Sequence, residues 1–233
     1  KIRGPKGTKV SLTIQKADGS EKVVTIIRDV VIMEEGFAKS LILSANAKEN
    51  DKVGYIFLPK FYADFTPSGT TSCAADVQKE VAKLKSEQVK GIILDLRGNG
   101  GGSLRDVVQM SGLFIEEGPI VQVKSRNKKP EIMNDNDPRV QWGGPLVVMV
   151  NGFSASASEI LAAAMQDYGR AVIVGSTSTY GKGTVQRFYD LDNVIPDESV
   201  KPLGSMKLTM QKFYRVTGKT TQLDGVTPDI ILP

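Results

Sequence analysis

The stretch Val150 to Glu159, VNGFSASASE, has the residue types and spacing of a nucleophile site. The apolar run Pro145–Val150 reads as a buried strand, and a helical pattern follows the serines. That spacing sets a serine on a turn at a helix start, where first-turn N–H groups lack intrahelical acceptors. Such a turn suits a hydroxyl whose attack builds a negative oxygen. It has the strand–turn–helix logic of a nucleophile elbow without its sequence. The same residues also read as a cap, because Ser156 and Glu159 have capping-box spacing. Spacing alone does not choose among Ser154, Ser156 and Ser158.

The chain contains no histidine. Ser-His-Asp and Cys-His catalysis are therefore excluded, as are histidine metal sites. A general base must be Asp, Glu, Lys, Tyr or a backbone amine. One lysine stands out, Lys182, in the run Gly175 to Gln186, GSTSTYGKGTVQ. The run is not a P-loop. A P-loop has four residues between its glycines and Ser or Thr directly after the lysine. Here five residues separate Gly175 from Gly181, and Gly183 follows Lys182. Thr184–Phe188 also favours a strand over a helix. Flanking glycines let a backbone approach another element closely. If Lys182 starts a strand, Gln186 shares its face and could orient the amine. The plainer reading is an exposed loop lysine.

A third constellation is Asp95 to Gly102, DLRGNGGG, between a buried strand and a helix opened by Ser103. Glycines there let N–H groups face a phosphate or a developing oxyanion. The plainer reading is a tight turn. The glycine spacing is not a dinucleotide-binding fingerprint. Cys73 is the only cysteine, so no internal disulfide forms; it reads as a small buried helix residue.

The elements that must hold these groups follow from periodicity. Within Lys1–Met33, Val10, Leu12 and Ile14 alternate with polar residues, Asp18-Gly19 signals a hairpin, and Val23–Ile27 is the return strand. Gly4-Pro5-Lys6-Gly7 reads as a turn before it. Two or three such strands cannot bury a core alone. From about Glu34 strands and helices alternate. Val53–Leu58, Gly91–Leu96, Pro145–Val150, Ala171–Gly175, Gly204–Val216 and Asp229–Leu232 read as strands. A helix is expected from Ser72 to Val89, with Ala74, Val77, Val81 and Leu84 on one face and Gly91 as its stop. Leu104, Val107 and Val108 mark a second helix. Ile160, Leu161, Ala164 and Tyr168 mark the inner face of a third, closed by Gly169. Lys124–Trp142 is polar and reads as a long excursion. The alternation predicts an α/β domain with a largely parallel sheet.

Composition sets the outer bounds. The 233 residues suffice for one large domain or a domain plus a fragment, and 40% are hydrophobic, an ordinary globular share. No apolar run reaches the ~18–20 residues that span a bilayer. A formal charge of +4 comes from interspersed lysines and acids, with no basic stripe among aromatics, so nucleic-acid binding is not expected. The chain begins at Lys1 without a signal sequence, which reads as a processed or excised piece and leaves its location open.

Taken together, Ser154–Ile160, Ala162–Arg170 and Gly181–Gln186, with Asp95–Gly102 and Ser111–Ile115, resemble the C-terminal processing peptidases, most closely their tail-specific protease branch. The likeness covers roughly residues 50 to 215. It implies a serine endopeptidase with Ser156 as nucleophile, Lys182 as general base and Gln186 supporting the base. It also implies a supporting role for Asp167 and an oxyanion hole from the N–H groups of Ala157 and of Gly102 or Gly101. The implied fold is a Clp-protease/crotonase-like core of strand–strand–helix units over residues 35–233. Residues 1–34 would be the C-terminal part of a PDZ-like β domain. The resemblance implies no metal or organic cofactor. It implies polypeptide substrates with accessible C-terminal tails, a periplasmic or envelope location, and leaves an oligomer open.

A lysine in water titrates near about 10.4, whereas a working base sits nearer ~7–8. Burial in an apolar site moves a lysine that way. Lys182 is therefore expected to be mostly buried, free of a carboxylate partner, and turned toward Ser156. Two rival readings remain at this point: a crotonase-like acyl-CoA enzyme, and a non-catalytic peptide-binding module in which the serine only caps.

Overall fold

The computed structural model describes residues 2, 4–29, 36–44, 51–63 and 71–233. The chain divides into two compact units, Lys1–Glu35 and Gly36–Pro233. The domain boundary expected at residues 34–35 falls outside the described residues.

In the first unit, β1 (Lys9–Gln15) pairs antiparallel with β2 (Glu21–Ile27), in register from Lys9 opposite Ile27 to Gln15 opposite Glu21. The turn is the one the sequence signals. Gly19 takes φ 81°, and Asp18 Oδ1 accepts the Ser20 N–H at 2.9 Å.

In the second unit the elements alternate. They begin with β3 (Lys39–Ser44), β4 (Lys52–Phe57), α1 (Cys73–Ser86), β5 (Gly91–Asp95) and α2 (Leu104–Ser111). The chain continues through β6 (Gly118–Ser125), β7 (Glu131–Asp135), β8 (Leu146–Val150), α3 (Ala157–Asp167) and β9 (Val172–Gly175). It ends with β10 (Thr184–Asp190), β11 (Ser205–Tyr214) and β12 (Ile230–Ile231). Among the described residues, six strands form one sheet in the order β12-β9-β8-β5-β4-β3, parallel except where β3 meets β4. Four form an antiparallel sheet in the order β10-β11-β6-β7. This is the α/β architecture that the alternation implies.

The helices are cut by their caps. Ser72 takes an extended conformation and its side chain accepts the Ala75 N–H, starting α1. The helix ends at Ser86, earlier than the expected Val89, because Gln88 turns the chain at φ 57°. Ser103 caps α2 by accepting from Asp106 N–H. In α3 all residues from Ala157 to Met165 are buried, because the helix packs against both β9 and β6 and so lies between the two sheets. Its run Ala162-Ala163-Ala164 keeps it thin enough for that place.

Three local expectations need correction. Lys124–Trp142 is not a plain excursion, since it contains β7, which completes a hairpin with β6. β7 reads as polar because it is an edge strand, so only part of it needs apolar side chains. Strands β3 and β6 also went unread. Tyr168 does not belong to the buried face of α3. It is 39% exposed, and its hydroxyl donates to Pro119 O at 2.9 Å.

Candidate active site

Three loops converge at the C-terminal ends of parallel strands: the glycine run after β5, the serine turn after β8, and the segment between β9 and β10. Asn99 ties the first two together. Its carbonyl accepts the Ala155 N–H at 3.0 Å and the Ser158 hydroxyl at 2.8 Å. Its side chain accepts the Gly101 N–H at 2.9 Å and donates to Leu58 O at 2.8 Å.

The three serines now separate by what their hydroxyls already do. Ser154 is fully buried and donates to Leu96 O at 2.9 Å. Ser158 is fully buried and donates to Asn99 O. Ser156 is half-buried, lines an open cavity of about 630 Å³, and takes φ 59°, ψ −111°. A positive φ on a residue other than glycine stores strain of about 1–3 kcal/mol, and such strain collects at working sites. Ser156 also stands at the N-cap of α3. Its hydroxyl overlies the first turn in capping-box fashion, but without forming a side-chain cap hydrogen bond of ordinary geometry. The half of the box that is firmly made runs the other way, from Ser156 N–H to Glu159 Oε2 at 2.7 Å.

Glu159 is the hub of the site. It is fully buried and accepts four hydrogen bonds. Oε2 takes the N–H of Ser156 at 2.7 Å and the N–H of Lys182 at 3.0 Å. Oε1 takes the N–H of Gly181 and the hydroxyl of Thr179, each at 2.7 Å. Burial pushes its carboxyl above the usual glutamate range, and the four donors pull it back only in part. Because Ser156 and Lys182 donate to one oxygen, their backbone nitrogens lie no farther apart than those two bonds laid end to end.

Lys182 lines the same cavity as Ser156. Among the described residues it has no carboxylate within ion-pair distance. It is half-buried, not mostly buried, because the cavity is open on that side. The glycines beside it serve close approach. Segment 220–223 folds over them, with Leu223 N–H donating to Gly181 O at 2.8 Å and Gly183 N–H donating to Gln222 Oε1 at 2.8 Å. A side chain at Gly183 would meet Gln222 N at 2.8 Å.

Gln186 lines the cavity but does not hold the lysine amine. It is exposed, and its amide points to Thr209 Oγ1 at 3.5 Å. Gln186 does not share a regular strand face with Lys182, because β10 starts after Lys182 and its register shifts between Val185 and Gln186.

Two N–H groups suit an oxyanion. Ala157 is the first residue of α3, so its N–H has no intrahelical acceptor. Gly102 bridges Phe61 in parallel fashion: Phe61 N–H donates to Gly101 O at 3.1 Å, and Ser103 N–H to Phe61 O at 2.8 Å. That pattern turns the Gly102 N–H away from Phe61, and among the described residues it has no acceptor. Gly101 is different, since its N–H is taken by Asn99. Its contribution is close approach, at φ 94°.

Asp167 lies apart from this cavity, at the far end of α3. Arg215, at the end of β11, grips it through Nε at 3.0 Å and Nη2 at 2.6 Å. Both side chains are largely buried. The pair ties the serine's helix to the sheet that carries β10. Sequence reasoning missed Thr179, Gln222, Asn99 and the hub role of Glu159. The one available signal was the Ser-x-x-Glu spacing, which reads as a cap.

Cys73, expected as a buried helix residue, is the first residue of α1 and fully buried. Burial and the nearby Asp106 carboxylate raise its thiol far above the ordinary range, so it stays protonated. Among the described residues no cluster of acidic or cysteine side chains could hold a metal ion. No helix among them is long and apolar enough to cross a membrane.

A sequence profile of peptidase family S41 matches residues 52–232. The chain is 45% identical to the tail-specific protease of Haemophilus influenzae, over all of the chain and 32% of that protein. It is 32% identical to the carboxy-terminal-processing protease of Bartonella bacilliformis, over 99% of the chain and 48% of that protein. It is 34% identical to the carboxy-terminal processing protease CtpA of Bacillus subtilis, over 98% and 44%. The chain thus spans between about a third and a half of these relatives' length. Among solved structures, the photosystem II D1 C-terminal processing protease superposes with a TM-score of 0.70 at 25% identity, covering 98% of this chain and 56% of that one. Mature CPAF complexed with lactacystin shares the fold, with a TM-score of 0.62 at 16% identity over 99% and 64%.

Proposed function

The chain belongs to peptidase family S41, and from that premise we propose that it carries the catalytic centre of a serine endopeptidase with a Ser156–Lys182 dyad. The observation that supports this reading is the shared oxygen of Glu159, which brings the backbones of Ser156 and Lys182 together at one cavity. In this reading Ser156 Oγ attacks the peptide carbonyl as Lys182 Nζ accepts its proton. The N–H groups of Ala157 and Gly102 hold the oxyanion. Lys182 then returns the proton to the departing amine, leaving an acyl-enzyme. Water, deprotonated by the same amine, hydrolyses it.

Gln186 supports this chemistry as a cavity wall, and Asp167 by fixing α3 against β11. Substrates would be unstructured polypeptides, including those with accessible C-terminal tails, as the names of the relatives suggest. Residues 1–34 would be the end of a PDZ-like domain, and the protein would work in the periplasm or envelope. The test is cleavage of unstructured peptides by the chain and by its Ser156→Ala and Lys182→Ala forms. Both substitutions should abolish turnover while leaving thermal melts unchanged. Equal cleavage by all three would end the assignment.

A further inference from the structure

Besides Lys182, the proposed base, the cavity of the proposed site is lined by two lysines, Lys60 and Lys207, and among the described residues by no aspartate or glutamate. Lys60 directly precedes Phe61, the residue that bridges the glycine run, so it stands beside the proposed oxyanion hole. Lys207 lies on β11 opposite Phe188 of β10, and its amine sits 5.5 Å from the centre of that ring. Phe188 is itself 72% exposed and lines the cavity, so the pair holds a cation at the cleft wall. Among the described residues neither Lys60 nor Lys207 has an ion-pair partner, although elsewhere on this surface lysines pair with acids, as Lys79 does with Asp76. A cleft lined by one sign of charge focuses its field on an incoming chain.

We infer that Lys60 and Lys207 are specificity-determining residues, and that the cleft prefers peptide segments bearing aspartate or glutamate side chains close to the scissile bond. This rests on the reading of the cavity as a peptidase cleft. It goes further by assigning a substrate class to its walls.

The test is a binding experiment that needs no turnover. Two labelled, unstructured, C-terminally amidated peptides, identical except for two Glu or two Lys, are titrated onto the Ser156→Ala chain by fluorescence anisotropy. Amidation ensures that carboxylates come from side chains alone. The Glu peptide should bind about threefold to tenfold tighter at low salt, and the difference should collapse near about 0.5 M salt. Lys207→Glu should erase the preference, because Lys60 is then offset by the new carboxylate. Lys85→Glu, the same charge change at the exposed end of α1, should leave it in place. Equal binding of the two peptides, binding of neither, or the same shift from both lysine variants would overturn the inference. Failure of the peptidase reading shows separately, as cleavage that survives Ser156→Ala.

Discussion

Gly101 is pressed against Ser156: a methyl group on Gly101 would lie 2.8 Å from Ser156 Cβ, 2.6 Å from Ala155 O and 2.9 Å from Ala157 N. The glycine loop and the serine turn are therefore seated on each other with no room for a side chain. Gly101→Ala would have to push the Ser156 backbone aside and adopt φ 94° as well. We expect kcat to fall by about 10²-fold, the scale of a small misplacement of reacting groups. Stability should drop by ~1–3 kcal/mol. Steady-state kinetics with a thermal melt checks both, and a fully active variant would show that the two loops are not held in register this way.

Glu159→Gln replaces an acceptor of four bonds by an amide with one oxygen and an NH₂ group. That NH₂ must then face N–H donors from Ser156 and Lys182, or from Gly181. Stranded buried donors cost about 1–3 kcal/mol each. Chemical denaturation should show a loss of ~2–4 kcal/mol, and activity should fall with it. An unchanged unfolding midpoint would mean that the carboxylate is not the bracket it is taken to be.

The Asp167–Arg215 pair is shielded from solvent, with side chains 9% and 14% exposed. Asp167→Ala leaves a buried guanidinium uncompensated, at about 3–5 kcal/mol. Arg215→Ala strands the carboxylate in the same way. The double substitution should cost clearly less than the two single losses together, and a double-mutant cycle in urea measures the difference. Additive losses would mean the two side chains act separately.

Asp135 gives a pH test. Its Oδ2 is buried without a hydrogen-bond partner and packs against Gly112, the C-cap of α2, where helix carbonyls disfavour negative charge. Burial pushes its carboxyl above the usual range, with Asp137 adding to it and nearby N–H groups opposing. A carboxyl raised on folding stabilises fully below its unfolded pKa of about 3.9, and that contribution is lost as pH rises through the folded value. Asp135→Asn should therefore stabilise the chain at neutral pH by ~0.5–1.5 kcal/mol. The gain should vanish as the medium is acidified past the unfolded value. Denaturation curves across that window decide it, and a gain independent of pH would contradict the charge explanation.

Much of the fold is legible because its signals are local. The alternation at Val10–Ile14, the helix face Val77–Val81–Leu84 and the strand–turn–helix around Ser156 all follow from neighbouring residues. The choice among three serines is not local, since it depends on Leu96 O and Asn99 O, nearly sixty residues away. Glu159 looks like a cap partner in sequence because its other donors arrive from residues 179–182. The Gln186 expectation fails because one register shift undoes a period of two. Strand β7 is missed because an edge position leaves half its residues free to be polar.

Helix α3 lies between the two sheets, and the proposed base enters from the loop that leads into the second of them. That loop is clasped by residues far along the chain, Gln222 accepting from Gly183 N–H and Thr221 donating to Lys182 O, each 39 residues from its partner. The geometry around Lys182 thus depends on distant chain, so loosening segment 220–223 should free that loop while leaving the serine turn, held by Leu96 and Asn99, in place.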